Sequence, residues 1–149
     1  MLSVNQGYKI GLTFFIDLWP LLEPKVKELD VDESDTLIMH ELFFYEVCSG
    51  FESSAEWIEA VSRVKYVPRE QQKQLGLTET ELFSCALEFC KLHNERWKNI
   101  LDYTVRHLES IQRHPEQHPL EWDIWKKTRE HIGMYPGSFY DVDWSVELS

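Results

Sequence analysis

Glycine is scarce, six residues in 149, and none sits in a phosphate-cradling loop pattern. Cysteine is scarcer: Cys48, Cys85 and Cys90 form an odd set without a C-x-x-C pair. That set argues against a disulfide framework and for free thiols in a reducing compartment. No apolar run approaches the roughly 20 residues of a membrane span. The opening MLSVNQGYKIGLTFFIDLW is interrupted by Asp17 and has neither a basic leader nor a small-residue cleavage site. A cytoplasmic location is therefore expected.

Catalytic and metal signatures are missing as well. His40-Glu41 meets Phe44 where a zinc protease has its second histidine. No E-x-x-H occurs, which removes the pattern of di-metal helix bundles. The DVDESD run lacks the mid-loop glycine of a calcium loop. His114 and His118 lie in a Pro-bounded connector and can reach one ion, but two histidines make an incomplete zinc site. Cys90 and His93 have nucleophile–base spacing, yet both fall on an apolar stripe and read as core. The bases of RVKYVPREQQK are too few for a nucleic-acid surface. No enzymatic role, cofactor or metal is expected.

What is present is apolar mass. Hydrophobic residues make up 43% of the chain, with eight Phe, six Trp and six Tyr, enough for one well-buried core at this length. Residues 1–149 are expected to form a single compact all-α domain of about five or six helices. Residues 8–19 carry one apolar face, and Pro20 predicts a kink or break before a short turn holding Leu21, Leu22 and Val26. Ser34 or Asp35 caps a helix that ends before Gly50 and is apolar nearly all round, which predicts a central position. Ser53 and Glu56 form a capping box for the next helix, with Trp57, Val61 and Val64 turned inward. Pro68 opens a short helix ending by Gly76.

Thr78 and Glu81 form a second capping box. From there one long central helix is expected over residues 79–113, about 50 Å if straight. Phe83, Ala86, Cys90, His93, Trp97, Leu101, Thr104, Leu108 and Ile111 form its buried stripe, opposite a ladder of alternating charges. Pro119 opens a last helix closed by Gly133. The tail FYDVDWSVEL reads as an aromatic strap.

Charge is the most distinctive feature. The chain carries 26 acids against 15 bases, a net −11. Such a field repels nucleic acid and anionic membranes and favours basic partners. The excess is uneven: residues 28–62 hold ten acids and no Lys or Arg. Helix dipoles account for some acids at helix starts. A one-sign cluster is also what electrostatic steering toward a basic protein requires. Asp30, Asp32, Glu33, Asp35, Glu52, Glu56 and Glu59 are the expected contact carboxylates. Trp57 is the expected aromatic anchor, and Asp141 with Trp144 a second one.

The expectation is a non-enzymatic protein that binds a basic partner. In size, acidity and want of a catalytic constellation the chain resembles bacterial toxin-immunity proteins. That resemblance is of general character and rests on no motif. It implies a basic cognate toxin or nuclease as partner. A self-associating structural or regulatory adaptor is the alternative. An enzyme using Cys90, His93 or His40 is a third.

Overall fold

The computed structural model describes residues 2–28, 55–96 and 101–134. Among the described residues there are five α-helices: α1 (Val4–Glu28), α2 (Ala55–Lys65), α3 (Glu79–Arg96), α4 (Asp102–Arg113) and α5 (Pro119–Met134). Short 3-10 turns span Arg69–Gln74 and Pro115–Gln117. Strands β1 (Leu2–Ser3) and β2 (Gly76–Leu77) pair antiparallel, Leu2 opposite Leu77, and tie the start of α1 to the segment before α3. The all-α architecture is as expected. One hydrophobic core draws on all five helices. The expected helix before Gly50 and the aromatic strap lie outside the described residues.

Helix α1 is the centre of the described core. It starts ahead of the apolar stretch expected over residues 8–19, at a capping box: Gln6 N–H donates to Ser3 Oγ at 3.1 Å and Ser3 N–H to Gln6 Oε1 at 2.9 Å. Tyr8, Ile10, Leu12, Phe14, Phe15, Leu18 and Leu22 are all at most 2% exposed, so this helix is buried on most sides rather than on one stripe. Pro20 and Pro24 lie inside it, so the helix runs on through Pro20, where a kink or break was expected. Each removes one backbone donor, but Leu18, Trp19 and Leu22 are buried around Pro20, and that packing holds the helix through the lost bond. Gly7 and Gly11 make a smooth strip on α1. A Cβ at Gly7 would sit 2.8 Å from Leu82 Cδ1, and one at Gly11 3.5 Å from the Trp57 ring.

Residues 79–113 are two helices, not one. Gln112 Nε2 donates to Ser84 Oγ at 2.8 Å, whereas a continuous helix would hold these residues about 42 Å apart. The chain folds back, so α3 and α4 pack side by side. Asn94 fastens the return: its Oδ1 accepts from Leu101 N–H and its Nδ2 donates to Asp102 Oδ1, both at 2.7 Å. The Thr78–Glu81 capping box opens α3 as expected, with bonds of 2.9 and 3.2 Å. Phe83, Ala86, Cys90 and His93 are buried on α3, and Leu101, Thr104, Leu108 and Ile111 on or beside α4.

Helix α5 starts at Pro119 and covers the other side of α1. Trp125 packs edge-on to Phe14 and Phe83, with ring centroids 5.0 and 5.2 Å apart, and its Nε1 donates to Glu79 at 3.2 Å. Thr128 donates to Asp17 at 2.8 Å, an enclosed bond that fixes the α1–α5 register. The short helix expected after Pro68 is the 3-10 turn, with Pro68 just ahead of it and Gly76 in β2.

Candidate functional site

The acidic face is described at three of its expected residues. Trp57 does not present an anchor. It is 0% exposed, its Nε1 donates to the Val4 carbonyl at 3.0 Å, and its ring meets Tyr8 and Phe89 at 5.7 Å. Its helical spacing with Val61 already pointed inward, and the core takes it. Glu56 is paired with Arg96 and Glu59 with Arg63 at 3.3 Å, so both find counter-charges from beyond residue 62. Asp30, Asp32, Glu33, Asp35, Glu52, Asp141 and Trp144 lie outside the described residues.

The thiol–imidazole pair belongs to the core, as its stripe implied. Burial pushes the Cys90 thiol up to about 12, so it holds almost no thiolate at neutral pH. Cys85 is likewise raised to about 12, by burial first and then by the carboxylate of Glu81. His93 is 2% exposed and meets Phe89 edge-on at 4.5 Å. Desolvation lowers its basicity against the opposing pull of Glu56. His40 and Cys48 lie outside the described residues.

A second group of titratable side chains gathers where α4 meets α5. His118 ends the 3-10 turn and stands at the N-cap of α5, where its carbonyl accepts from Trp122 N–H at 3.1 Å. Pro115 and Pro119 stiffen this connector on either side. Glu121, one turn on, places its carboxylate at the positive end of α5. His118 Nδ1 lies 2.7 Å from Glu121 Oε2, and His107 Nε2, on α4, lies 3.1 Å from the same oxygen. His118 Nε2 is 2.8 Å from Ser110 Oγ. The two imidazoles meet edge to face at 5.1 Å, and Tyr103 stacks on His107 at 5.9 Å.

The arrangement is satisfied with both rings neutral. His107 Nε2–H and His118 Nδ1–H then donate to one carboxylate oxygen, and the Ser110 hydroxyl donates to His118 Nε2. Desolvation holds His107 below the usual imidazole range, against the upward pull of Glu121. The side chains of His107, His118 and Glu121 are 19%, 16% and 12% exposed, sheltered yet reachable from solvent.

His114 and His118, weighed together in the sequence, do not come together around Glu121. His114 is half exposed and faces Glu116 at 3.7 Å, because the 3-10 turn carries it away from α5. The local signal was the spacing His118-x-x-Glu121, the reverse of the E-x-x-H that was sought. His107 carried no such signal, since only the turn between α4 and α5 brings it there.

A cleft of about 630 Å3 opens beside the start of α1. Ser3, Asn5, Ile58, Arg69 and Lys73 line it, with Gln72 as its floor. Gln72 Nε2 donates to the Ile58 carbonyl and to Ser62 Oγ at 2.9 and 2.8 Å, which pins the 3-10 turn to α2. Among the described residues, no helix is long and apolar enough to cross a membrane. No family model, curated protein or solved structure matches the chain, so its own residues are what bear on function.

Proposed function

We propose that this is a binding protein that engages a basic protein partner through its acidic segment, in the manner of an inhibitor or immunity protein neutralising a toxin or nuclease. The observation that carries this reading is the run of ten acids without Lys or Arg across residues 28–62. The ion pairs of the helices add support. Arg63, Lys65, Lys91, Arg96, Arg113, Lys127 and Arg129 each pair with an acid of α2–α5. Those cations already have their own carboxylates to meet, and seven acids between residues 30 and 52 stand apart from them in the chain. Like charges at such density cost stability, whereas they raise encounter rates with a cationic partner.

The burial of Trp57 revises the contact set. Asp30, Asp32, Glu33, Asp35 and Glu52 remain as the proposed contact carboxylates, and Glu59, on the exposed side of α2, joins them. Glu56 is engaged with Arg96 and serves the fold. Asp141 and Trp144 stay as the proposed second anchor.

The test compares wild type with the neutralised variant D30N/D32N/E33Q/D35N in pull-downs at low and high salt. A basic protein retained by the wild type and lost by the variant, with faster association at low ionic strength, is the expected result. The same proteins captured equally by both, at either salt, would overturn the proposal. Concentration-dependent dimers with no heterologous partner would favour the self-associating adaptor instead.

A further inference from the structure

We infer that His107, His118 and Glu121 form a binding site for one divalent transition-metal ion of the zinc class, with a fourth position open to water or a ligand. This site uses no residue of the acidic segment 28–62 and does not depend on how that segment is used. The donor set is the first argument. Two imidazoles and one carboxylate are borderline ligands suited to Zn2+, and three protein ligands with an open fourth place are the pattern of non-structural zinc sites.

Spacing is the second argument. The donor atoms of the three residues all lie within 4.8 Å of one another. Tetrahedral zinc, with bonds of about 2.0–2.1 Å, needs its ligand atoms about 3.3 Å apart. The two contacts to Glu121, at 2.7 and 3.1 Å, need to open by about 0.6 and about 0.2 Å. Both rings already direct a nitrogen at the same carboxylate oxygen, so an ion entering there meets converging donors. None of the three has to leave its element.

The third argument is the outer shell. Ser110 Oγ lies 2.8 Å from the far nitrogen of His118, the position from which metal-bound histidines are oriented. On binding, the His118 proton moves from Nδ1 to Nε2, and the Ser110 hydroxyl turns from donor to acceptor. His107 moves its proton from Nε2 to Nδ1. Both lone pairs that face Glu121 become metal bonds, and no proton need leave the rings. Tyr103, stacked on His107, restricts that ring to the same plane.

Sequence pattern alone conceals this site. Its ligands come from the middle of α4, the connector and the first turn of α5, and His114, next to Pro115, is not among them.

The experiment titrates Zn2+ alone against a chromophoric chelator, with Co2+ as a spectroscopic substitute. The expected result is one equivalent bound per chain, with visible bands of four-coordinate Co2+. H107A, H118A and E121Q each weaken binding by about 100-fold or more, and S110A by about 10–100-fold, the usual range for an outer-shell partner. H114A leaves affinity unchanged. Nitrogen-15 shifts of His118 show the proton moving from Nδ1 to Nε2 when Zn2+ is added. Should truncation at His107 unfold the chain, the near-isosteric E121Q, together with S110A, carries the same comparison. Absence of stoichiometric binding overturns the inference. So does wild-type affinity in E121Q, or a loss in H114A as large as in H118A.

Discussion

The indole nitrogen of Trp57 donates to the backbone carbonyl of Val4 at 3.0 Å, across 53 positions of sequence. That bond joins α2 to the first turn of α1, and the ring itself lies over the Gly7–Gly11 strip. Trp57 thus serves the fold. Trp57→Ala is expected to destabilise by about 3–5 kcal/mol, as large aromatic truncations do. Trp57→Phe keeps much of the ring contact but loses the hydrogen bond, and should cost about 1–3 kcal/mol. Urea denaturation ranks the two. A Trp57→Ala protein with an unchanged midpoint and weakened partner binding would restore the anchor role that the structure removes.

The two glycines beneath that ring should respond in opposite directions. Alanine at Gly7 would bring a Cβ to 2.8 Å from Leu82 Cδ1 and 3.2 Å from Leu77 Cδ1. Both leucines are buried, so neither yields freely, and overpacking of this kind costs about 1–3 kcal/mol. At Gly11 the nearest atom is 3.5 Å away, an ordinary contact, and Gly→Ala in a helix gains about 0.5–1 kcal/mol. Gly7→Ala should therefore lower the denaturation midpoint and Gly11→Ala raise it. Shifts of the same sign would show that α1 does not approach α2 and α3 as closely as described.

Much of this packing could be read from the residues in advance. Thr78-x-x-Glu81 announces a helix start because its two bonds are local, and the buried stripe from Phe83 to His93 follows from periodicity. Longer-range features were hidden. Nothing between Arg96 and Leu101 is Gly or Pro, and the charge ladder runs on across the gap at helical spacing. The fold-back depends on Asn94 reaching Leu101 and Asp102, a choice that an asparagine inside a helix pattern does not declare. The His107–Glu121 contact was unreadable for the same reason, since it exists only once α4 and α5 are folded against each other. Pro20 does not break the helix: a local breaker was outweighed by the burial of its neighbours.

The thiols offer a test of core placement that does not require mutation. Cys85 and Cys90, both raised to about 12, should resist iodoacetamide at neutral pH in the native state. Their alkylation should follow the urea unfolding curve, read peptide by peptide so that Cys48 is scored separately. Modification of Cys90 in native buffer, as fast as in the denatured chain, would mean that α3 does not bury this face and would reopen a reactive role for the Cys90–His93 pair.

Glu81 links the opening of α3 to pH. Its carboxylate is paired with Lys65 and accepts from Thr78 N–H at 2.9 Å. The Lys65 bond, and then the backbone bond, hold its carboxyl below the ordinary 4.5. A carboxylate with a lowered folded-state value contributes stability in full above 4.5, and that contribution fades as the pH falls through the lower folded value. Glu81→Gln keeps an acceptor for the capping box but loses the charge facing Lys65. It should cost about 0.5–1 kcal/mol at neutral pH, a modest figure because the pair is partly solvated. On the acid side of 4.5 the difference from wild type should shrink toward zero. Urea midpoints for both proteins across that range decide the matter. Parallel curves would mean that Glu81 titrates alike in the folded and unfolded chains, and that Lys65 gives it no more than a place to rest in solvent.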